Sequence, residues 1–247
     1  MKQKYGLQLY SVRDSMETDF EGTLKKVAEM GYTYVEFAGF FGHTAEEVKA
    51  LLDKYGLIIS GTHSAWSDLK EEAISETIRY HKAIGNPRFI VPGADLSTRE
   101  KIDEVIKTLN FAKPILESEG ITLGYHNHSH EFNVRPWGET THSEFERRTD
   151  IEFEIDTFWA WNAGPDPVQV LERLKHRISV IHLKDGFKGG KGMPLGEGEA
   201  PVSAVRQKAL ELGLRMVVES ETLTPSGLDE ARRCIEYLRK LDDAATI

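Results

Sequence analysis

The sequence predicts a single α/β domain folded as a (β/α)8 TIM barrel. Strand-like and helix-like patterns alternate along all 247 residues, with eight strands expected. Strict alternation implies a parallel sheet with right-handed crossovers, and a chain of this length often forms one barrel domain. We therefore expect residues 1–247 to form one domain, because no change in composition marks a second.

The expected strands are residues 5–11, 32–38, 57–63, 88–93, 121–127, 151–157, 178–184 and 215–221. In the second half of the chain they recur at roughly the length of one βαβ unit. Residues 151–156 (IEFEID) favour a closed barrel, because their acidic side chains share one face and their apolar side chains the other. In a sheet with helices on both faces, the strand would be apolar throughout.

Sequence signals for the starts and ends of helices lie between the expected strands. Thr18-x-x-Glu21, Thr44-x-x-Glu47 and Ser97-x-x-Glu100 resemble capping boxes, and Asp166 followed by Pro167 is typical of a helix start. Glycines that suit a left-handed terminal residue follow the helical patterns at Gly31, Gly56, Gly85, Gly120 and Gly213.

Charge and composition limit the classes of partner and the cellular compartment that we expect for this chain. A formal charge of −9 is a poor match to a phosphate backbone, so we expect no nucleic-acid partner. The one cysteine, Cys234, fits a reducing compartment, and no apolar run is long enough for a signal peptide or a membrane span. The expectation is a cytoplasmic protein, with a homodimer or homotetramer plausible.

Chemistry in such barrels lies at the carboxyl ends of the strands. This rule collects nine residues on one rim: Gln8, Glu36, His63, His126, His128, Asp156, His182, Lys184 and Glu219.

Four successive strand ends offer metal-ligating side chains, namely His126, Asp156, His182 and Glu219. Any one of them has an ordinary structural alternative, but four together predict one divalent ion. Imidazole and carboxylate ligands suit Mn, Co, Zn, Fe or Mg. His126 is the preferred first ligand, and His128 and Glu131 stay open as alternatives.

Five segments carry a family resemblance: residues 125–128 (YHNH), 155–157 (IDT), 182–185 (HLKD), 196–198 (GEG) and 218–219 (VE). They resemble the xylose-isomerase-like sugar phosphate isomerase/epimerase superfamily of TIM barrels, over nearly the whole chain. The metal tetrad of that family is Glu, Asp, His, Glu, which implies ligand roles for Asp156, His182 and Glu219. The first position is His126 here, similar to the histidine-rich segment of inosose dehydratase-like members. Trp159 stands where many epimerases have histidine.

All four tryptophans are expected in loops at the barrel mouth, where flat rings suit sugar C–H faces or a subunit contact: Trp66, Trp137, Trp159 and Trp161. The glycine- and lysine-rich loop 185–201 could close over a substrate. The expected substrate contacts are Gln8, Glu36, His63, Trp66, His128, Trp159 and Lys184.

The leading hypothesis is a sugar isomerase or epimerase that transfers a proton next to a carbonyl through an enediolate, on a sugar or keto-polyol. Glu219 is the expected base, with Lys184 or His63 as further proton-transfer groups. Because His126 replaces a carboxylate, a metal-dependent lyase or dehydratase is the alternative. An endonuclease IV-like nuclease and a non-catalytic sugar-binding barrel are further alternatives.

Overall fold

The computed structural model describes residues 3–244. Its barrel strands are β1 (Gly6–Gln8), β2 (Tyr34–Ala38), β3 (Ile58–His63), β4 (Arg88–Val91), β5 (Thr122–His126), β6 (Glu152–Asp156), β7 (Val180–Leu183) and β10 (Arg215–Val218). Within the described residues these eight strands close in the order β1–β10–β7–β6–β5–β4–β3–β2, and every neighbouring pair is parallel. The predicted (β/α)8 barrel is therefore confirmed.

Ten α-helices lie among the described residues: α1 (Arg13–Met16), α2 (Phe20–Glu29), α3 (Ala45–Tyr55), α4 (Ile74–Ala83), α5 (Arg99–Ser118), α6 (Thr141–Arg148), α7 (Thr157–Ala163), α8 (Pro167–Leu174), α9 (Val202–Leu212) and α10 (Gly227–Ala244). Short 3-10 helices occupy Leu9–Val12, Trp66–Leu69 and His130–Phe132. None of the helices in the described part of the chain combines the length and apolar character needed to cross a bilayer.

Helix capping follows the sequence closely. The Thr44–Glu47 capping box forms in full, and the Asp166 side chain caps α8 with Pro167 at its start. At the other two predicted boxes the cap is one residue later, because the Asp19 and Thr98 side chains accept the backbone hydrogen bonds.

The barrel has two apolar regions. The main core lies between the strands and the helices, whereas Ile90, Val180 and Val217 form a small separate cluster. Space inside is tight: a Cβ on Gly61 would lie 3.0 Å from Ile90 Cδ1 and 3.2 Å from Glu36 Oε2. Apolar and charged side chains therefore meet directly inside the barrel.

The loop that follows β7 is held by a single carboxylate. Asp185 Oδ1 accepts hydrogen bonds from the backbone N–H groups of Gly186 and Ala200, and Oδ2 accepts from those of Gly196 and Gly198. Inside this loop, strand β8 (Asp185–Gly186) pairs antiparallel with β9 (Gly192–Met193). Both ends of the loop are thus fixed. Residues 187–191 at its tip are exposed, as are Gly196, Glu197 and Glu199.

Gly198→Ala tests this clamp. A Cβ at this position would lie 2.4 Å from both Asp185 Oδ1 and Gly186 N, so the loop must shift. We expect the free energy of unfolding to fall by about 2 kcal/mol. Urea denaturation checks it, with Gly93→Ala as control, since a Cβ on Gly93 meets nothing within 4 Å. Equal stability of the two variants would contradict the close approach.

Candidate metal centre

Four side chains from four strands meet at the carboxyl end of the barrel. His126 and Asp156 are the last residues of β5 and β6, His182 lies in β7, and Glu219 follows β10. One potential ligand atom from each lies within 4.8 Å of the others. The exposed fractions are 2%, 0%, 0% and 5% respectively, so this group, called the tetrad below, is almost completely withdrawn from solvent.

The tetrad contains polar atoms that the described protein groups leave unsatisfied. Neither ring nitrogen of His126 has a hydrogen-bond partner, and Asp156 Oδ2 has none. These atoms face each other, with His126 Nε2 3.5 Å from Asp156 Oδ2. Buried polar atoms normally find partners, so orphaned nitrogen and carboxylate atoms in one place fit a cation.

His182 contacts two separate pairs of carboxylates, one pair through each ring nitrogen. Its Nδ1 faces Glu219 Oε2 at 3.3 Å and Asp156 Oδ2 at 3.9 Å. Its Nε2 faces Glu36 Oε1 at 2.8 Å and Glu154 Oε2 at 3.2 Å, on the side away from the tetrad. Nδ1 is therefore the ring atom that the tetrad offers to a metal.

A second group of polar side chains adjoins the tetrad: Gln8, Glu36, His63 and Glu154. Gln8 donates to Glu36 Oε1 at 2.7 Å, and His63 Nε2 lies 2.7 Å from Glu154 Oε2. His63, His126, Glu154 and His182 form a further grouping with ligand atoms within 4.8 Å. Gln8 and Glu36 were expected among the substrate contacts; in the structure they contact each other, and Glu36 also contacts His182.

Burial and neighbouring charges shift the pKa values of these groups. Burial raises the pKa of Glu36, but His63 and His182 outweigh it and bring that pKa to about 2. Burial and then the charge of Glu36 raise the pKa of Glu154 well above its usual value. Burial, His182 and His63 lower the pKa of His126 well below its usual value, which keeps the imidazole neutral and able to ligate.

A cavity of about 400 Å³ opens directly above the tetrad. It is lined by Tyr10, Ala38, His63, Pro92, His126, His128, Glu219 and Glu221. This volume suits a small molecule such as a sugar. Of the expected substrate contacts, His63 and His128 line this cavity, while Trp66 packs beneath Lys70 with 4.6 Å between Nζ and the ring centre.

Trp159 and Trp161 were expected in a loop, and that expectation is wrong. Both lie in α7, which starts immediately after β6 because Asp156 Oδ1 accepts the hydrogen bond of Trp159 N at 2.8 Å. The same carboxylate therefore caps a helix with one oxygen and faces the tetrad with the other. The buried Trp159 Nε1 has no hydrogen-bond partner among the described residues.

The three candidates for the first ligand, His126, His128 and Glu131, have different contacts in the structure. Glu131 is fully buried and accepts hydrogen bonds from Tyr125 Oη at 3.0 Å and His128 N at 2.8 Å, so both its oxygens stabilise the loop. His128 has an unpartnered Nδ1 but groups with His130 and Glu131 rather than with the tetrad. His126 is the candidate that the structure places beside Asp156.

Two residues of the site were not selected from the sequence. Glu154 precedes Asp156 by two residues in β6, so strand alternation points both side chains into the barrel. Glu221 follows Glu219 by two residues and lines the same cavity. For Glu154, the two-residue spacing from Asp156 within one strand was a signal in the sequence. For Glu221 the same spacing from Glu219 was a weaker signal, because both residues lie past the end of β10, where side chains no longer alternate regularly.

Comparison with known proteins places the chain in a family. Residues 24–241 match the family model described as a xylose isomerase-like TIM barrel. The chain belongs to this family. No curated protein matches it significantly.

Solved structures of similar fold include several sugar enzymes. A sugar phosphate isomerase/epimerase from Parabacteroides distasonis is 25% identical, with a TM-score of 0.81 over 96% of this chain and 94% of that one. A probable 3-DHS dehydratase from Bacillus anthracis is 14% identical, with a TM-score of 0.75 over 96% and 99%. A D-allulose 3-epimerase from Methylomonas sp. is 13% identical, with a TM-score of 0.72 over 97% and 98%. The last two likenesses show the fold alone.

In this member of the xylose isomerase-like family, Lys184 neutralises the carboxylates of the site. Its Nζ lies 2.8 Å from Glu219 Oε2, 2.6 Å from Glu221 Oε1 and 3.5 Å from Asp156 Oδ2, and its side chain is completely buried. Burial lowers the pKa of Lys184, but the three carboxylates outweigh burial and raise it above the usual value. The ammonium therefore keeps its proton, which suits electrostatic stabilisation better than proton transfer.

Lys184→Met is expected to lower the free energy of unfolding by about 3–5 kcal/mol in chelator-treated protein, because buried carboxylates lose their cation. Urea denaturation measures the loss. The control is Lys107→Met, since Lys107 is exposed on α5. A loss no larger than that of the control would show that Lys184 does not balance the site.

Proposed function

We propose that this chain is a divalent-metal-dependent isomerase or epimerase that moves a proton next to the carbonyl of a sugar or keto-polyol. The observation that carries the proposal is the buried tetrad directly below a cavity of sugar size, with Glu219 belonging to both. Membership of the xylose isomerase-like family supports the same class of chemistry.

The residues that would hold the metal are His126, Asp156, His182 and Glu219, and the orphaned atoms of His126 and Asp156 support this set. A ligand set of two imidazoles and two carboxylates suits Mn, Fe, Co or Zn better than a set made only of oxygen ligands does. When bound, such an ion polarises a carbonyl oxygen and stabilises the negative charge that develops on it.

Glu219 is the base in this proposal. Its carboxylate lines the cavity and is held by Lys184 and His182, so its position is fixed before a substrate enters. A carboxylate in that position removes a proton from the carbon next to the carbonyl. His63 and His128 line the same cavity, from β3 and from the loop after β5. Because burial lowers the pKa of His63 to about 4, that ring is neutral, and His128 is the imidazole assigned to return a proton to the substrate.

Glu36 positions His182 for this role. Since Nε2 of His182 lies 2.8 Å from Glu36 Oε1, that nitrogen carries the proton and Nδ1 is left to ligate. The completely buried Glu36 does this from beneath the tetrad, without a place in the cavity wall.

Glu36→Gln is expected to weaken divalent-ion binding by about 10- to 100-fold, because the uncharged amide holds the His182 tautomer less firmly. Calorimetric titration of Mn²⁺ and Co²⁺ into metal-stripped protein measures the affinity. Glu104→Gln is the matched control, since Glu104 lies on the outer surface beside Lys70. Unchanged affinity in Glu36→Gln would remove the positioning role.

Glu219→Gln is expected to abolish proton exchange on substrate while leaving the fold intact, because the amide cannot accept the proton. Keto-sugars and inosose-type ketones are incubated in deuterated water with several divalent ions, and deuterium incorporation is followed by mass spectrometry. The exposed Glu236 provides the control variant Glu236→Gln.

Glu219 is both base and ligand in the proposal, so metal content is measured in the same samples. Loss of exchange with the metal retained supports the base role. Exchange at the wild-type rate in Glu219→Gln would refute it.

Elimination is the second candidate, and the distribution of carboxylates favours it. Both acidic residues that line the cavity, Glu219 and Glu221, follow β10, whereas the residues of β3 and β5 contribute imidazoles. His128, which is not a proposed ligand, is the imidazole assigned to protonate a departing hydroxyl, as a dehydratase or lyase requires. Product analysis in the same screen distinguishes loss of water from isomerisation.

A further inference from the structure

A second cavity lies at the opposite end of the barrel from the tetrad. Its volume is about 640 Å³, and its wall includes Arg88 and Arg215, the first residues of β4 and β10. Tyr34, the first residue of β2, and Ser179, just before β7, also line it. These positions are the amino-terminal ends of the strands, remote from the proposed chemistry.

The cavity wall is basic. Four of its lining residues carry a positive charge, and within residues 3–244 no aspartate or glutamate lines it. The lining cations are Lys4, Arg88, Lys175 and Arg215. This concentration of positive charge occurs in a chain whose formal charge is −9, so overall charge balance does not account for it.

Neither arginine is neutralised by a direct ion pair. Arg88 donates from Nε to Ser179 Oγ at 2.8 Å and from Nη1 to the carbonyl of Ser60 at 3.2 Å. Arg215 Nη1 reaches Ser60 Oγ at 3.4 Å, and its guanidinium lies 4.1 Å from the centre of the Tyr34 ring. No carboxylate oxygen in the described part of the chain lies within 4.0 Å of either group.

The nearest acidic groups act indirectly. Glu152 accepts a hydrogen bond from Ser179 Oγ at 2.5 Å, so it reaches Arg88 only through that hydroxyl. Burial and the adjacent charge of Arg88 lower the pKa of Arg215, while Tyr34 and the more distant Glu36 raise it. Both guanidinium groups contact Ser60, so two like charges are held near each other with no direct carboxylate partner among the described residues.

We propose that this cleft binds a small molecule carrying a phosphate group, with the guanidinium groups of Arg88 and Arg215 as its donors. Their contacts with Ser60, Ser179 and Tyr34 fix both groups in advance, which reduces the ordering cost of binding. Arginine presents a fork of N–H donors that matches phosphate oxygens. An anion placed between the two guanidinium groups also relieves their repulsion.

The test uses wild-type protein with inorganic phosphate, glucose 6-phosphate and citrate, each compared with chloride at equal ionic strength. We expect the two phosphate compounds to bind with a dissociation constant of about 1 mM or tighter and to raise the melting temperature. The arginine Nε–H resonances of the wild-type protein are followed by NMR in the same titration, so the result does not depend on any variant folding.

Arg88→Gln and Arg215→Gln are each expected to weaken phosphate binding by roughly tenfold or more, since charged hydrogen bonds are lost. Arg79→Gln makes the same charge change on exposed α4, where Arg79 pairs with Glu76. Arg215→Lys retains the charge without the fork and is expected to bind weakly. Wild-type affinity in both glutamine variants would place the anion elsewhere and overturn the proposal. Equal responses to phosphate and chloride, or binding of citrate alone, would overturn it as well.

Discussion

The polar interior of this barrel depends on the two-sided contacts of His182. One ring nitrogen faces Glu219 and Asp156, and the other faces Glu36 and Glu154, so a single imidazole links four buried carboxylates. Unpaired charges in such a place would be strongly destabilising. Lys184 supplies an internal cation on the cavity side. The fold therefore tolerates an acidic interior because each carboxylate has a cationic or imidazole neighbour.

This arrangement follows from strand alternation in a closed barrel. Side chains two residues apart share a face, so Glu152, Glu154 and Asp156 occupy three successive levels of the interior. The lowest level includes Arg88 and Arg215, the middle level Glu36 and Glu154, and the top level the tetrad. The two ends of the barrel consequently present opposite chemistry: oxygen and nitrogen ligands for a cation above, and guanidinium donors below.

The barrel and the convergence of the tetrad could be predicted from the sequence, because both follow from alternation and from the position of strand ends. The roles of Gln8, Glu36 and Lys184 could not be predicted, since depth inside a barrel depends on the stagger of neighbouring strands. Glu36, for example, pairs with Gly61 across a register shift in β2 and β3. The α7 helix was missed because its cap is Asp156, a residue for which the ligand interpretation was preferred to a capping role. Asp185 was likewise a motif residue whose four backbone hydrogen bonds are visible only in three dimensions.

A histidine at position 126, where the family resemblance implies a carboxylate, changes the charge of the site and not the number of ligands. Three carboxylates and one imidazole around an ion give a more negative site than two of each, so the proposed site would leave a divalent ion more of its positive charge. In the proposed reaction that charge would polarise a substrate carbonyl more strongly, and the His126 side of the cavity has no second carboxylate to act as a base. Since both lining carboxylates follow β10, the proposed removal of a proton by a carboxylate is confined to one side of the cavity. On the opposite wall, burial keeps His63 and His126 neutral by lowering their pKa values, so His128 is the ring left to supply a proton in the proposed isomerisation or elimination.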